Sequence, residues 1–199
     1  AVPDHLHCEV ASACIKRGLH TLVVKPLTPT VKEANQLIEL TRKHKIYGVV
    51  EFHKRLDRQN RILRDEYQSG KLGIPLYTFT EYSQRKSIPK KVFRSWVEKN
   101  NILQYLGVHY IDIVRFVTEA IPVRVMASGQ KVWLKEQGLD IYDSIQCMVE
   151  WKTAGEHILS TKFYWSIGLI QKLPAPCLTK RLSSLERMDA MKETKRNEG

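Results

Sequence analysis

Apolar residues recur along this chain in two rhythms, and the change between them near residue 53 divides it. Leu6, Val10, Ala13 and Cys14 fall on one helical face, entered at Asp4, a good N-cap, and stopped at Gly18. Residues 20–24 then read as a buried strand. Thr30 caps a helix with the apolar stripe Val31, Ala34, Leu37 and Ile38, and residues 47–52 read as a second apolar strand. Helix, strand, helix, strand with short connections is half of a doubly wound α/β sheet.

A helix over residues 56–73, with Ile62, Leu63 and Tyr67 inward and Ser69 and Gly70 as its stop, leads into the second rhythm. Residues 74–83 are β-rich with aromatics. Val123, Val125 and Ala127 alternate with Arg124, Met126 and Ser128; Ile145, Cys147, Val149 and Trp151 alternate with Gln146, Met148 and Glu150; residues 158–164 continue the theme. This alternation predicts an open antiparallel sheet with helices on one face. A helix over residues 102–117 interrupts the strands and carries His109 and Asp112 one turn apart. The fold class is therefore α/β in the first part and α+β in the second.

The string TLVVKPL puts Lys25 at the carboxyl end of the first strand, followed by Pro26. Open α/β sheets bind ligands outside those strand ends, so the position aims a cation at the binding crevice. Pro26 denies the chain another ladder hydrogen bond and permits a cis peptide bond there.

The remaining composition narrows the function classes. With 199 residues, 43% hydrophobic and 27% charged, the chain builds one or two domains with a real core and is not disordered overall. No apolar stretch approaches the roughly 20 residues of a membrane helix, and the first residues lack the order of a secretory signal, so a cytoplasmic protein without a membrane partner is expected. Cys8, Cys14, Cys147 and Cys177 form no CxxC pair and read as reduced core fillers, with no metal site. The net charge of +11 raises the prospect of nucleic acid, but Lys and Arg are spread along amphipathic segments. The densest stretch, residues 84–94, lacks the repeated aromatics of a stacking platform, so no nucleic-acid partner is expected.

Four short motifs occur in a fixed order: lysine-proline at a strand end, a following strand that closes on His53 and Arg55, SGKLG at residues 69–73, and LGVHYID at residues 106–112. Together they resemble the Gfo/Idh/MocA family of NAD(P)-dependent oxidoreductases, named for glucose-fructose oxidoreductase and inositol dehydrogenase. The likeness runs from Val2 to about Tyr164. It implies residues 1–53 as the second half of a Rossmann-like nucleotide-binding domain, whose first half is missing, and residues 54–165 as an incomplete substrate and oligomerisation domain. The opening AVPDHLH resembles the family's fourth-strand segment, which makes Pro3, Asp4 and His7, with Lys25 and Pro26, cofactor-facing.

The resemblance further implies hydride transfer between a sugar or polyol hydroxyl and NAD or NADP, with Lys25 beside the nicotinamide and His109 as the base. Asp112, one turn on, either orients the imidazole or pairs locally. Arg85, Lys86, Arg94 and Trp96 are candidates for the sugar pocket, since guanidinium and indole groups suit hydroxyl-rich ligands. Two positions depart from the family pattern: Val24 stands where a glutamate is usual, and Tyr105 stands where many members carry an aspartate four residues before the histidine. Tyr105 can donate a hydrogen bond, but a reference pKa of about 10 makes it a poor base. The complete protein is expected to be a homo-oligomer, and the chain as given to be inactive, without tight NADH binding. The competing classes are a non-catalytic assembly module of the same fold and a basic nucleic-acid binder.

From about Ser166 the strand pattern stops, and residues 166–199 show no apolar period. Ser-Ile-Gly-Leu-Ile-Gln-Lys can be encoded so that a one-base shift reads Asn-Trp-Ile-Asp-Pro, and the shifted string continues with segments similar to the family's next strand and hairpin. The tail is therefore read as a frameshift product.

Overall fold

The computed structural model describes residues 2–167, which lie within one compact unit. The frameshift reading falls on residues outside that range, except at its start. There Ser166 and Ile167 still belong to the last strand, because the inward alternation Phe163, Trp165, Ile167 continues to its end.

A 3-10 turn, Asp4–Leu6, leads into helix α1 (His7–Lys16), then strand β1 (Thr21–Val24), helix α2 (Val31–His44) and strand β2 (Gly48–Glu51). β1 and β2 pair in parallel. α2 starts on a capping box: the Thr30 hydroxyl accepts the Glu33 amide, and the Glu33 carboxylate accepts the Thr30 amide. Three expectations are corrected here. Asp4 opens the 3-10 turn and caps no α-helix; its carboxylate is taken by Asn100 instead. The inward face of α1 is Cys8, Ala11, Ser12 and Ile15, one position round from Val10 and Cys14, which look over an open groove beside β1. The strands are also not fully buried: Leu22 is 63% exposed and Val49 54%, because the described residues cover the two-stranded sheet only in part.

A 3-10 turn, His53–Leu56, precedes helix α3 (Arg58–Gln68), which packs on helix α4 (Val108–Thr118). α3 buries no residue fully, so Ile62 and Leu63, expected inward, remain 48% and 43% exposed. The second sheet has four strands in the order β3 (Tyr77–Gln84), β6 (Ile158–Ile167), β5 (Ser144–Lys152), β4 (Ile121–Gln130). Its pairings β4–β5 and β5–β6 are antiparallel, as short connections allow, but β3 runs parallel to β6. The sheet is therefore mixed rather than antiparallel throughout, because the long excursion through α4 and β4–β5 lets the chain return beside β3 in the same direction. Ile145, Cys147, Val149 and Trp151 point inward as their alternation predicts, over a core that includes Leu159, Phe163 and Trp165. β4 carries the same alternation yet every residue in it is exposed, since it is an edge strand and the packed layer stops over β5.

The helix expected over residues 102–117 is broken in type. Leu103–Gly107 is a π-helical turn and α4 begins at Val108. Such a turn is a frequent marker of functional sites, and here it sits opposite Lys25.

Candidate active site

Lys25 follows β1 directly and is 8% exposed. The peptide bond to Pro26 is cis. Its Nζ donates to the backbone carbonyl of Tyr105 in the π-turn and lies 4.6 Å from the centroid of the Tyr105 ring. Two more bonds join the same parts of the chain: Asn100 donates to Asp4, and Gln104 Nε2 donates to the Pro29 carbonyl at 3.1 Å. Burial lowers the Lys25 pKa, while the charges of Asp4 and Glu51 oppose that shift.

His109, on the first turn of α4, is 2% exposed. Its ring meets His53 edge-on with centroids 4.4 Å apart and Phe52 at 6.3 Å. Burial, then the positive charge of Lys25, lowers its pKa from 6.5 to about 4, so the imidazole is neutral at physiological pH. Its Nδ1 is buried with no hydrogen-bond partner among the described residues. A neutral imidazole can accept a proton, although a pKa held this low makes it a weak base at neutral pH. Burial raises the Tyr105 pKa, although a hydrogen bond with Gln84 opposes it, so its phenol is a donor rather than a base at neutral pH.

Two profiles match this chain: one described as "Oxidoreductase family, NAD-binding Rossmann fold" over residues 1–52, and one as "GFO/IDH/MocA C-terminal domain" over residues 60–164. The chain belongs to the Gfo/Idh/MocA family. Among curated relatives it is 28% identical over 145 residues to levoglucosan dehydrogenase of Pseudarthrobacter phenanthrenivorans, covering 70% of this chain and 36% of that protein. It is 25% identical over 131 residues to the rhizopine catabolism protein MocA of Rhizobium meliloti, covering 66% and 40%. An inositol dehydrogenase homologue of Azotobacter vinelandii, solved with NADH and myo-inositol, superposes with a TM-score of 0.73 at 20% identity, over 86% of this chain and 44% of that one. The chain thus spans less than half the length of these relatives.

In this Gfo/Idh/MocA chain the structure places Lys25 against Tyr105 and within the fields of Asp4 and His109. His7 is engaged internally, with Nδ1 2.8 Å from the Pro26 carbonyl and Nε2 3.2 Å from that of Val2. Asp112 does not orient the imidazole: both its oxygens accept from Arg55, Nε at 2.7 Å and Nη2 at 2.5 Å. Of the four sugar-pocket candidates, Trp96 lines an apolar cavity of ≈30 Å³ with Phe93 and Tyr105, room for water rather than a sugar ring. Lys86 lies over the Trp133 ring at 4.5 Å, and Arg85 and Arg94 are exposed.

Sequence reasoning passed over Glu51 and His53 as site residues. The signal was present: an apolar strand, GVV, ends on the charged Glu51 just as TLVV ends at Lys25. Among the described residues no group of three or more His, Cys, Asp or Glu is placed to hold a metal ion, and no helix is long and apolar enough to cross a membrane.

Proposed function

We propose that residues 1–53 and 54–165 form the nicotinamide-facing and substrate-facing parts of a site that oxidises a hydroxyl of a sugar or polyol. The observation that supports this best is the neutral His109, with an unengaged ring nitrogen, held within the field of a buried lysine. Hydride leaves carbon only as the hydroxyl proton departs, so the reaction needs a base and a stabiliser of the developing alkoxide. NAD or NADP, when bound, supplies the hydride acceptor. His109 takes the hydroxyl proton. Lys25 has three N–H donors and spends one on the Tyr105 carbonyl, which leaves two for the alkoxide. Tyr105 contributes a phenol donor, and the charge of Asp4 opposes the burial that lowers the Lys25 pKa. A self-associated form belongs to the same proposal, since β4 exposes Val123 and Val125 on one face.

The test is NADH formation across a panel of polyols, including myo-inositol and levoglucosan, for this chain and for a version extended at both ends. Lys25→Ala and His109→Ala are expected to abolish turnover in whichever form is active. Turnover that survives both substitutions would overturn the assignment.

A further inference from the structure

His109, Asp112 and Phe116 follow one another on α4 at spacings of three and four residues, which sets them on one stripe of the helix, and each meets the turn His53–Leu56. Asp112 accepts both donors of the Arg55 fork, Nε at 2.7 Å and Nη2 at 2.5 Å. The guanidinium carbon lies 5.2 Å from the centroid of the Phe52 ring and 5.5 Å from that of Phe116. A forked ion pair that also rests on two rings leaves the guanidinium little freedom. The Arg55 amide donates to the Phe52 carbonyl at 2.9 Å, so the backbone of the turn follows the side chain that anchors it.

The same turn supplies the rings that enclose His109: His53 meets it edge-on at 4.4 Å, and Phe52, just before the turn, at 6.3 Å. The charged and titratable groups whose fields reach His109 are Lys25 after β1, His53 and Lys54 in the turn, and Asp57 at its end. Asp112, one helical turn from His109, is spent on Arg55. A carboxylate bonded directly to the imidazole would favour the imidazolium. A carboxylate spent on an arginine that draws two rings onto the imidazole shields it from water instead.

We propose that Arg55 and Asp112 are positioning residues for His109: their ion pair clamps the turn His53–Leu56 to α4 and holds the Phe52 and His53 rings against the imidazole. The inference rests on the catalytic reading only for the use it gives an uncharged His109, and its test needs no turnover.

The experiment is a nitrogen-detected NMR titration of the imidazoles in the full chain, comparing the native protein with Asp112→Asn, Arg55→Met, Arg55→Lys and Arg64→Met. Arg64 is the matched control: it lies 4.8 Å from the same Phe116 ring but pairs with Glu119 at 3.2 Å. The isosteric Asp112→Asn, and Arg55→Lys, which keeps the charge without the fork, guard against loss of the fold. By field alone, removing the Asp112 charge would lower the His109 midpoint and removing the Arg55 charge would raise it. A released turn admits water to the imidazole, so Asp112→Asn, Arg55→Met and Arg55→Lys should all raise it. The expected rise for Asp112→Asn is about one pH unit or more, part of the roughly 3 to 5 units that full burial can impose. Nuclear Overhauser contacts between the His53 and His109 rings should weaken in the same variant. Arg64→Met should leave the midpoint in place. A midpoint unmoved or lowered by Asp112→Asn overturns the proposal, and so does a rise in Arg64→Met equal to that in Arg55→Met. If no polyol is oxidised while these titrations behave as expected, the catalytic reading fails and the clamp stands.

Discussion

Acidifying the protein from about pH 7.5 to about 4.5 charges His109 in the unfolded chain, where it titrates at its ordinary 6.5, while the folded protein holds it near 4 and largely refuses the proton. The unfolded state then binds more protons than the native one. Stability contributed by the neutral imidazole is complete above 6.5 and is lost as pH falls through the window toward 4. At roughly 1.4 kcal/mol for each unit between the two pKa values, the loss at pH 4.5 comes to about 2 kcal/mol. Carboxylates and the net charge of +11 also respond to acid, so the informative quantity is a difference between proteins. His109→Gln keeps a polar side chain of similar size and does not titrate. Urea unfolding followed by the fluorescence of the buried Trp151 and Trp165 gives the free energy at each pH. The native protein should lose about 2 kcal/mol more than His109→Gln across the window. Equal losses in the two proteins would refute the claim that His109 is neutral and buried.

Gly107→Ala puts a methyl group 2.9 Å from Leu103 Cδ1 and 2.9 Å from Cε2 of the fully buried Trp165. It should cost about 1–3 kcal/mol in thermal unfolding, and an unchanged midpoint would show that the π-turn yields freely. Asp112→Ala leaves Arg55 without its bidentate partner; with Asp112 10% and Arg55 41% exposed, the expected loss is about 1 kcal/mol, smaller at high salt when urea midpoints are compared. Thr30→Ala removes the hydroxyl of the capping box and should cost about 1 kcal/mol, with the lowered amide-exchange protection confined to the first turn of α2.

How much of this was legible in the sequence depended on whether a feature was local. The alternation at residues 145–151 is read correctly because the period itself names the element and its inward face, whereas TLVV marks a strand without saying how far it is covered. The α1 face was misplaced because apolar residues line two sides of that helix, Val10 and Cys14 on one and Cys8, Ala11 and Ile15 on the other. Periodicity cannot say which side meets α2. β4 shows the complementary failure: its alternation is as regular as that of β5, and only the reach of the packed layer decides that β5 is covered and β4 is not. Lys25, Tyr105 and His109, which the structure brings near one another, were named through motif order. What each does was not, because the partner of Asp112 comes from 57 residues away and that of Asp4 from 96. The break at residues 103–107 left no mark in the spacing of its side chains.

The bond from Lys25 to the Tyr105 carbonyl joins residues 80 apart and ties the end of the parallel strands to the π-turn. Removing this lysine therefore releases a long-range contact as well as a cation, so a Lys25 variant reports on architecture and chemistry at once. The Nδ1 of His109 bonds to nothing among the described residues, so a His109 variant separates the two.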